Sequence, residues 1–111
     1  MAALSDRKTN RNISEEKLSP QMLSNVLWAA WGVNRPASRG GRGVSDTGVQ
    51  MAGSNAHAGF IAQNVYLFAA SEGLASWFRA LVDAPELSRL LSLRPSEKVS
   101  YSQGVGYPAK A

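Results

Sequence analysis

The chain has 111 residues, 44% hydrophobic and 18% charged, with twelve Lys/Arg against eight Asp/Glu for a net charge of +4. That length bounds it to one small domain with a modest core, and the balance excludes both a disordered chain and a membrane-spanning one by composition. The absence of cysteine excludes disulfide staples and thiolate chemistry, and with no signal-peptide pattern at the start it points to an intracellular, cytoplasmic protein.

The first feature along the chain is DRKTNRNIS, residues 6–14, where Arg7, Lys8, Thr9 and Arg11 crowd five consecutive positions. A second basic group, Arg35, Arg39 and Arg42, has no acid between its members. Two such clusters suggest an anionic partner: nucleic acid, a membrane surface or a phosphorylated ligand. The competing reading is that these side chains are solvated and keep the protein soluble.

Ser19 and Pro20 are a good N-cap and first helical residue, and Met22, Leu23, Val26, Leu27 and Ala30 follow at helical spacing. They predict an amphipathic helix over 20–31, closed by Gly32. Residues 33–54 hold five glycines, a proline and no apolar period, so they read as a loop. A second helix is predicted from about Asn55 to Ser71. Phe60, Ile61, Val65, Leu67 and Phe68 with three alanines leave it almost no polar face, which predicts burial on several sides.

Leu74 to Val82, holding Trp77 and Phe78, reads as a strand. Asp83 with Glu86 three residues on forms a capping box for a helix carrying Leu87, Leu90 and Leu91. Val99, Tyr101, Gln103 and Val105 alternate with small or polar residues, which is the strand period. The sum is an α+β chain with three or four helices and two strands. Two strands alone make a marginal sheet, so they either pair with another chain or belong to an incomplete fold.

No catalytic triad is visible. The single His57 has no acid close in sequence and reads as a packed or capping residue rather than a base. One His without Cys offers no metal site. Arg39-Gly40-Gly41-Arg42-Gly43 is not a P-loop, since no Gly-Lys-Ser/Thr opens a helix after it. It is similar to arginine-glycine RNA-binding segments, though only one copy is present. Trp28, Trp31, Tyr66, Phe68 and Trp77 could stack on a planar ligand, but aromatics at this spacing read first as core.

Three stretches, taken together, resemble the nitroreductase family of flavoproteins. RKTNRNIS followed by LSPQMLSNVLWAAWGVNRP resembles the family's opening basic signature and first helix. AGFIAQNVYLFAASEGLAS resembles its central helix, and VSYSQGVGYPAK its closing strand with a Val-Gly-Tyr-Pro end. The segments fall in family order over roughly residues 3–38 and 52–111.

That resemblance implies a nitroreductase-like α+β fold, with a reduced sheet packed by helices and completed by homodimerisation. It also implies FMN, with NADH or NADPH as electron donor and a nitroaromatic, quinone or similar small molecule as acceptor. By position, Arg7, Lys8, Thr9 and Arg11 would lie at the FMN phosphate, and Arg79 and Ala80 near the reactive edge of the flavin. No side chain is assigned a catalytic role, because in such enzymes the flavin carries the chemistry.

The chain departs from the family after Ser38. The family continues there into an Arg-Thr-Ala-Pro-Ser stretch, two strands and a connecting helical region. This sequence passes through the 33–54 glycine-rich loop straight into the central helix, roughly seventy residues shorter than the family's usual domain. Residues 1–111 thus read as a single, internally shortened nitroreductase-like domain. Two alternatives stand beside the enzyme: a non-catalytic interaction module that pairs its strand edges with a partner, and RNA binding through Arg35, Arg39 and Arg42.

Overall fold

The computed structural model of the chain describes residues 2–31 and 47–110. Its elements run α1 (Ala2–Asp6), α2 (Pro20–Trp31), α3 (Thr47–Glu72), β1 (Ala75–Arg79), α4 (Ala84–Leu90) and β2 (Ser102–Gly106). Residues 32–46, which include Arg35, Arg39 and Arg42, lie outside the described part, as does the Trp31 side chain.

The start of α2 is chemically specified. The Met22 N–H donates to Ser19 Oγ at 3.1 Å, and Leu23 N–H closes the first turn on the Ser19 carbonyl. Pro20, which has no N–H to satisfy, fits the first position. The α4 cap is of the same kind: Asp83 Oδ1 accepts from the Glu86 N–H at 3.1 Å.

The central α3 is longer than the sequence pattern predicts. Residues 47–54, expected in the loop, form its first two turns. Their glycines and missing apolar period hid the helix. Met51 is exposed and a Cβ at Gly53 would meet open space, so no apolar stripe was needed there to bury a face. The other end is sharp. Gly73 takes φ +70°, and Leu74 N–H returns to the Ala69 carbonyl, the six-to-one bond of a glycine-terminated helix.

Val26 of α2, Val65 and Ala69 of α3 and Leu74 make the core, with Leu18, Met22, Phe68, Val105 and Tyr107 packed on it. Burial of α3 on several sides is not what forms. Ala62, Val65 and Ala69 are buried, whereas Phe60 on the same helix is 68% exposed. Trp28 is likewise 61% exposed, so its core reading is replaced by a surface position. His57 neither packs inside nor caps a helix; it stands exposed in mid-α3, its ring 6.2 Å from that of Phe60.

The two strands pair with each other. β1 and β2 run antiparallel, in the register Ser76 opposite Val105, Trp77 opposite Gly104 and Phe78 opposite Gln103. The sheet leans on α3 through a polar fastening. Gln103 Nε2 donates to the Ala62 carbonyl and to Ser76 Oγ, each at 3.1 Å, which satisfies the hydroxyl of a serine only 1% exposed. Among the described residues no helix is long and apolar enough to cross a membrane.

Candidate functional site

The basic segment 7–14 leaves α1 and is tied down by its backbone. Arg7 N–H closes the last turn of α1 on the Ala3 carbonyl at 2.9 Å. Asn10 N–H donates to the Ser76 carbonyl of β1 at 2.9 Å, and Asn10 Oδ1 accepts from Asn12 N–H at 2.9 Å in an Asx turn. Further on, Ser14 N–H donates to the Tyr107 carbonyl at 2.7 Å and Ala109 N–H to the Asn12 carbonyl at 2.9 Å. Ile13 bridges Pro108. The segment therefore lies along the N-terminal end of β1 and the chain leaving β2.

Tyr66, on α3, joins this segment to the strand. Its hydroxyl accepts the Phe78 amide N–H at 2.7 Å and lies 3.1 Å from Thr9 Oγ1. Either hydroxyl of the Tyr66–Thr9 pair can donate to the other. The Arg7 guanidinium sits over the Tyr66 ring, 5.2 Å from its centroid, a cation–π distance. One aromatic side chain thus meets Arg7, Thr9 and the backbone of β1.

A cavity of about 560 Å³ opens beside these residues. Its walls include Asp6, Arg7, Lys8, Asn10, Tyr66 and Gly73. Two cations face one carboxylate there, and among the described residues Arg7 and Lys8 have no ion-pair partner; the two side-chain ion pairs are Arg89–Glu86 and Arg94–Glu97. Unpaired cations in a concavity suit an anion, a guanidinium fork matching paired phosphate oxygens.

The expected site residues do not all converge. Arg7 and Lys8 share the cavity. Thr9 is held on the Tyr66 hydroxyl next to it, and Arg11 is exposed beyond it. Arg79 lines a different cavity of about 400 Å³, with Trp77, Asp83, Glu86 and Gly104 among its neighbours, and Ala80 is exposed at the strand's end. Ser76, which holds Asn10, and Arg79 are three residues apart on β1, roughly 10 Å along an extended strand. Among the described residues no group of three His, Cys, Asp or Glu is placed to hold a metal.

The sequence pattern named Tyr66 only as a stacking or core aromatic and gave no sign of its hydroxyl's role, and it did not single out Asn10. The signal for Tyr66 lay in its type: a tyrosine among the apolar residues of α3 brings a hydroxyl that needs a partner. Leucine would have served for packing alone.

Comparison with known proteins bears on the fold and the family. The family model described as the nitroreductase family matches residues 39–107, a span that begins after the basic segment. Among solved structures, a candidate nitroreductase of Ralstonia eutropha JMP134 is similar with a TM-score of 0.88 at 22% identity, covering 99% of this chain and 83% of that one. A nitroreductase family protein of Clostridium difficile 630 gives 0.70 at 17% identity, covering 99% of this chain and 84% of that one. A candidate NADH dehydrogenase/NAD(P)H nitroreductase of Parabacteroides distasonis ATCC 8503 gives 0.67 at 17% identity, covering 98% and 86%. No curated protein matches. Matched over more than half its length, the chain, short at 111 residues, belongs to the nitroreductase family, and that membership supports an oxidoreductase-type function.

Proposed function

We propose that this protein is an FMN-dependent oxidoreductase that takes hydride from NADH or NADPH and reduces a nitroaromatic, quinone or similar small acceptor. It would work as a cytoplasmic homodimer. The observation that carries the reading is that Arg7 and Lys8, neither in an ion pair among the described residues, outnumber the Asp6 carboxylate at one cavity of about 560 Å³. That volume is of the size small-molecule sites have, and the donor set has the chemistry a phosphate monoester needs.

In this reading Arg7 and Lys8 hold the phosphate, with Thr9 and Arg11 adjacent. Arg79 and Ala80 border the ring, roughly 10 Å further along the strand. A ribityl chain spans a distance of that order. Bound FMN would supply the hydride-accepting ring; the protein's part is to orient it and to set the charge around it. Exposed Leu23, Leu27 and Trp28 on α2 support the dimer, since large apolar side chains gathered on one exposed helix suit an interaction surface.

Absorbance and turnover test the proposal together. The purified protein, reconstituted with FMN and desalted, is expected to keep a flavin band and to oxidise NADH only when FMN is present. A colourless protein with no FMN-dependent oxidation overturns the enzymatic reading and leaves a non-catalytic member of the family.

A further inference from the structure

We infer that Tyr66 is a positioning residue that sets the spacing between the phosphate end and the ring end of a bound flavin, an inference that rests on the FMN reading above. The free edge of β1 presents the Ser76 carbonyl and the Phe78 N–H away from β2, and both are taken. Asn10 N–H covers the first at 2.9 Å and the Tyr66 hydroxyl the second at 2.7 Å. The same hydroxyl reaches Thr9 Oγ1 at 3.1 Å, and the ring beneath carries the Arg7 guanidinium.

Thr9 lies between Lys8 and Asn10 in the basic segment, and Phe78 immediately precedes Arg79 and Ala80. One oxygen on a helix thus links the two parts of the chain proposed to meet opposite ends of the cofactor. A helix is a rigid support, so the link has a fixed length. A ligand that touches only the basic segment does not sense that length. A ligand that spans both ends does, because its affinity depends on both being held at the matching separation.

Two ligands therefore separate the role. FMN spans the ends, whereas inorganic phosphate engages one. Both are titrated into the full chain and into Tyr66→Phe, which keeps the ring under Arg7 and removes only the hydroxyl. Flavin fluorescence reads FMN, and amide shifts of residues 7–11 read phosphate. The expected result is a loss of about 10-fold in FMN affinity, the scale of one or two modest hydrogen bonds, with phosphate affinity changed less than about twofold. Thr9→Val should reproduce part of the loss and Thr9→Ser should restore it.

Equal FMN affinity in wild type and Tyr66→Phe overturns the inference and leaves the FMN reading intact. Equal losses for both ligands also overturn it, since the hydroxyl would then only support the basic segment. A wild-type chain that binds no FMN overturns the parent reading and this one with it. Should Tyr66→Phe fail to fold, judged by circular dichroism, Tyr66→His, which keeps an aromatic ring without the phenolic hydroxyl, is titrated with the same two ligands and read in the same way.

Discussion

Trp77 and Gly104 face each other across the two-stranded sheet, and the indole lies over the glycine so closely that a Cβ there would come within 2.5 Å of its ring carbons Cη2 and Cζ3. The glycine is what allows the large ring to lie flat on its neighbour strand. Gly104→Ala must displace the indole, and a cavity of about 400 Å³ that Trp77 itself borders gives it somewhere to go. The cost should therefore fall near the lower end of overpacking penalties, about 1 kcal/mol. Urea unfolding measures the cost, and a shifted Trp77 indole N–H resonance reports the moved ring.

Gly106 meets a less yielding neighbour. A Cβ there would collide with Ile13 Cγ2, and Ile13 Cδ1 would stand at 3.3 Å. Cγ2 belongs to a β-branched side chain close to a backbone fixed by the bridge to Pro108, so it cannot rotate clear. Gly106→Ala should cost more than Gly104→Ala, about 2–3 kcal/mol. In an Ile13→Ala background the clash is gone. The double variant should be more stable than the sum of the single costs by about 1 kcal/mol or more. A double-mutant cycle by urea unfolding tests this; strict additivity would contradict it.

Much of the architecture was readable because local chemistry and packing agreed. Ser19-Pro20 and Asp83 through Glu86 are capping sequences whose side-chain bonds form within three residues, so no tertiary information was needed. Both strands likewise fell inside their predicted spans. The first two turns of α3 were lost because Gly48 and Gly53 argue for a loop, while the helix there simply continues its backbone ladder. The site was half readable. Arg7 and Lys8 announce an anion by type. That Arg79 faces a different cavity, or that Tyr66 joins Thr9 to Phe78, depends on contacts between residues 12 and 57 positions apart, which periodicity cannot encode.

Glu97 provides a pH-dependent signature. Its Oε1 accepts from the Arg94 backbone N–H at 3.0 Å and from Arg94 Nε at 2.9 Å. These bonds, the backbone one first, hold the carboxyl below the ordinary value of 4.5. A folded-state pKa below the unfolded one means the stabilisation is complete above about 4.5 and is lost as pH falls through the folded value. The exposed setting keeps the effect on global stability small. Carboxyl NMR titration should find Glu97 below its ordinary range. Arg94→Ala should move it only part of the way back, because the larger cause is a backbone group that the substitution leaves in place.

Helix α2 carries Leu23, Leu27 and Trp28 at 49%, 63% and 61% exposure. Leu23 and Leu27 are one turn apart on one face, and Trp28 stands about 100° further round the helix. None of them belongs to the core around Val26 and Val65. A charge introduced there should leave the fold alone and act on association. Trp28→Arg is expected to keep the wild-type melting temperature at low concentration while shifting sedimentation from dimer to monomer. Burying an arginine against a second copy of these side chains would cost several kcal/mol without a paired carboxylate. If the variant sediments as the wild type does, the proposed homodimer does not use this face. If instead it melts well below wild type as a monomer, Trp28 contributes to the intrachain core despite its exposure.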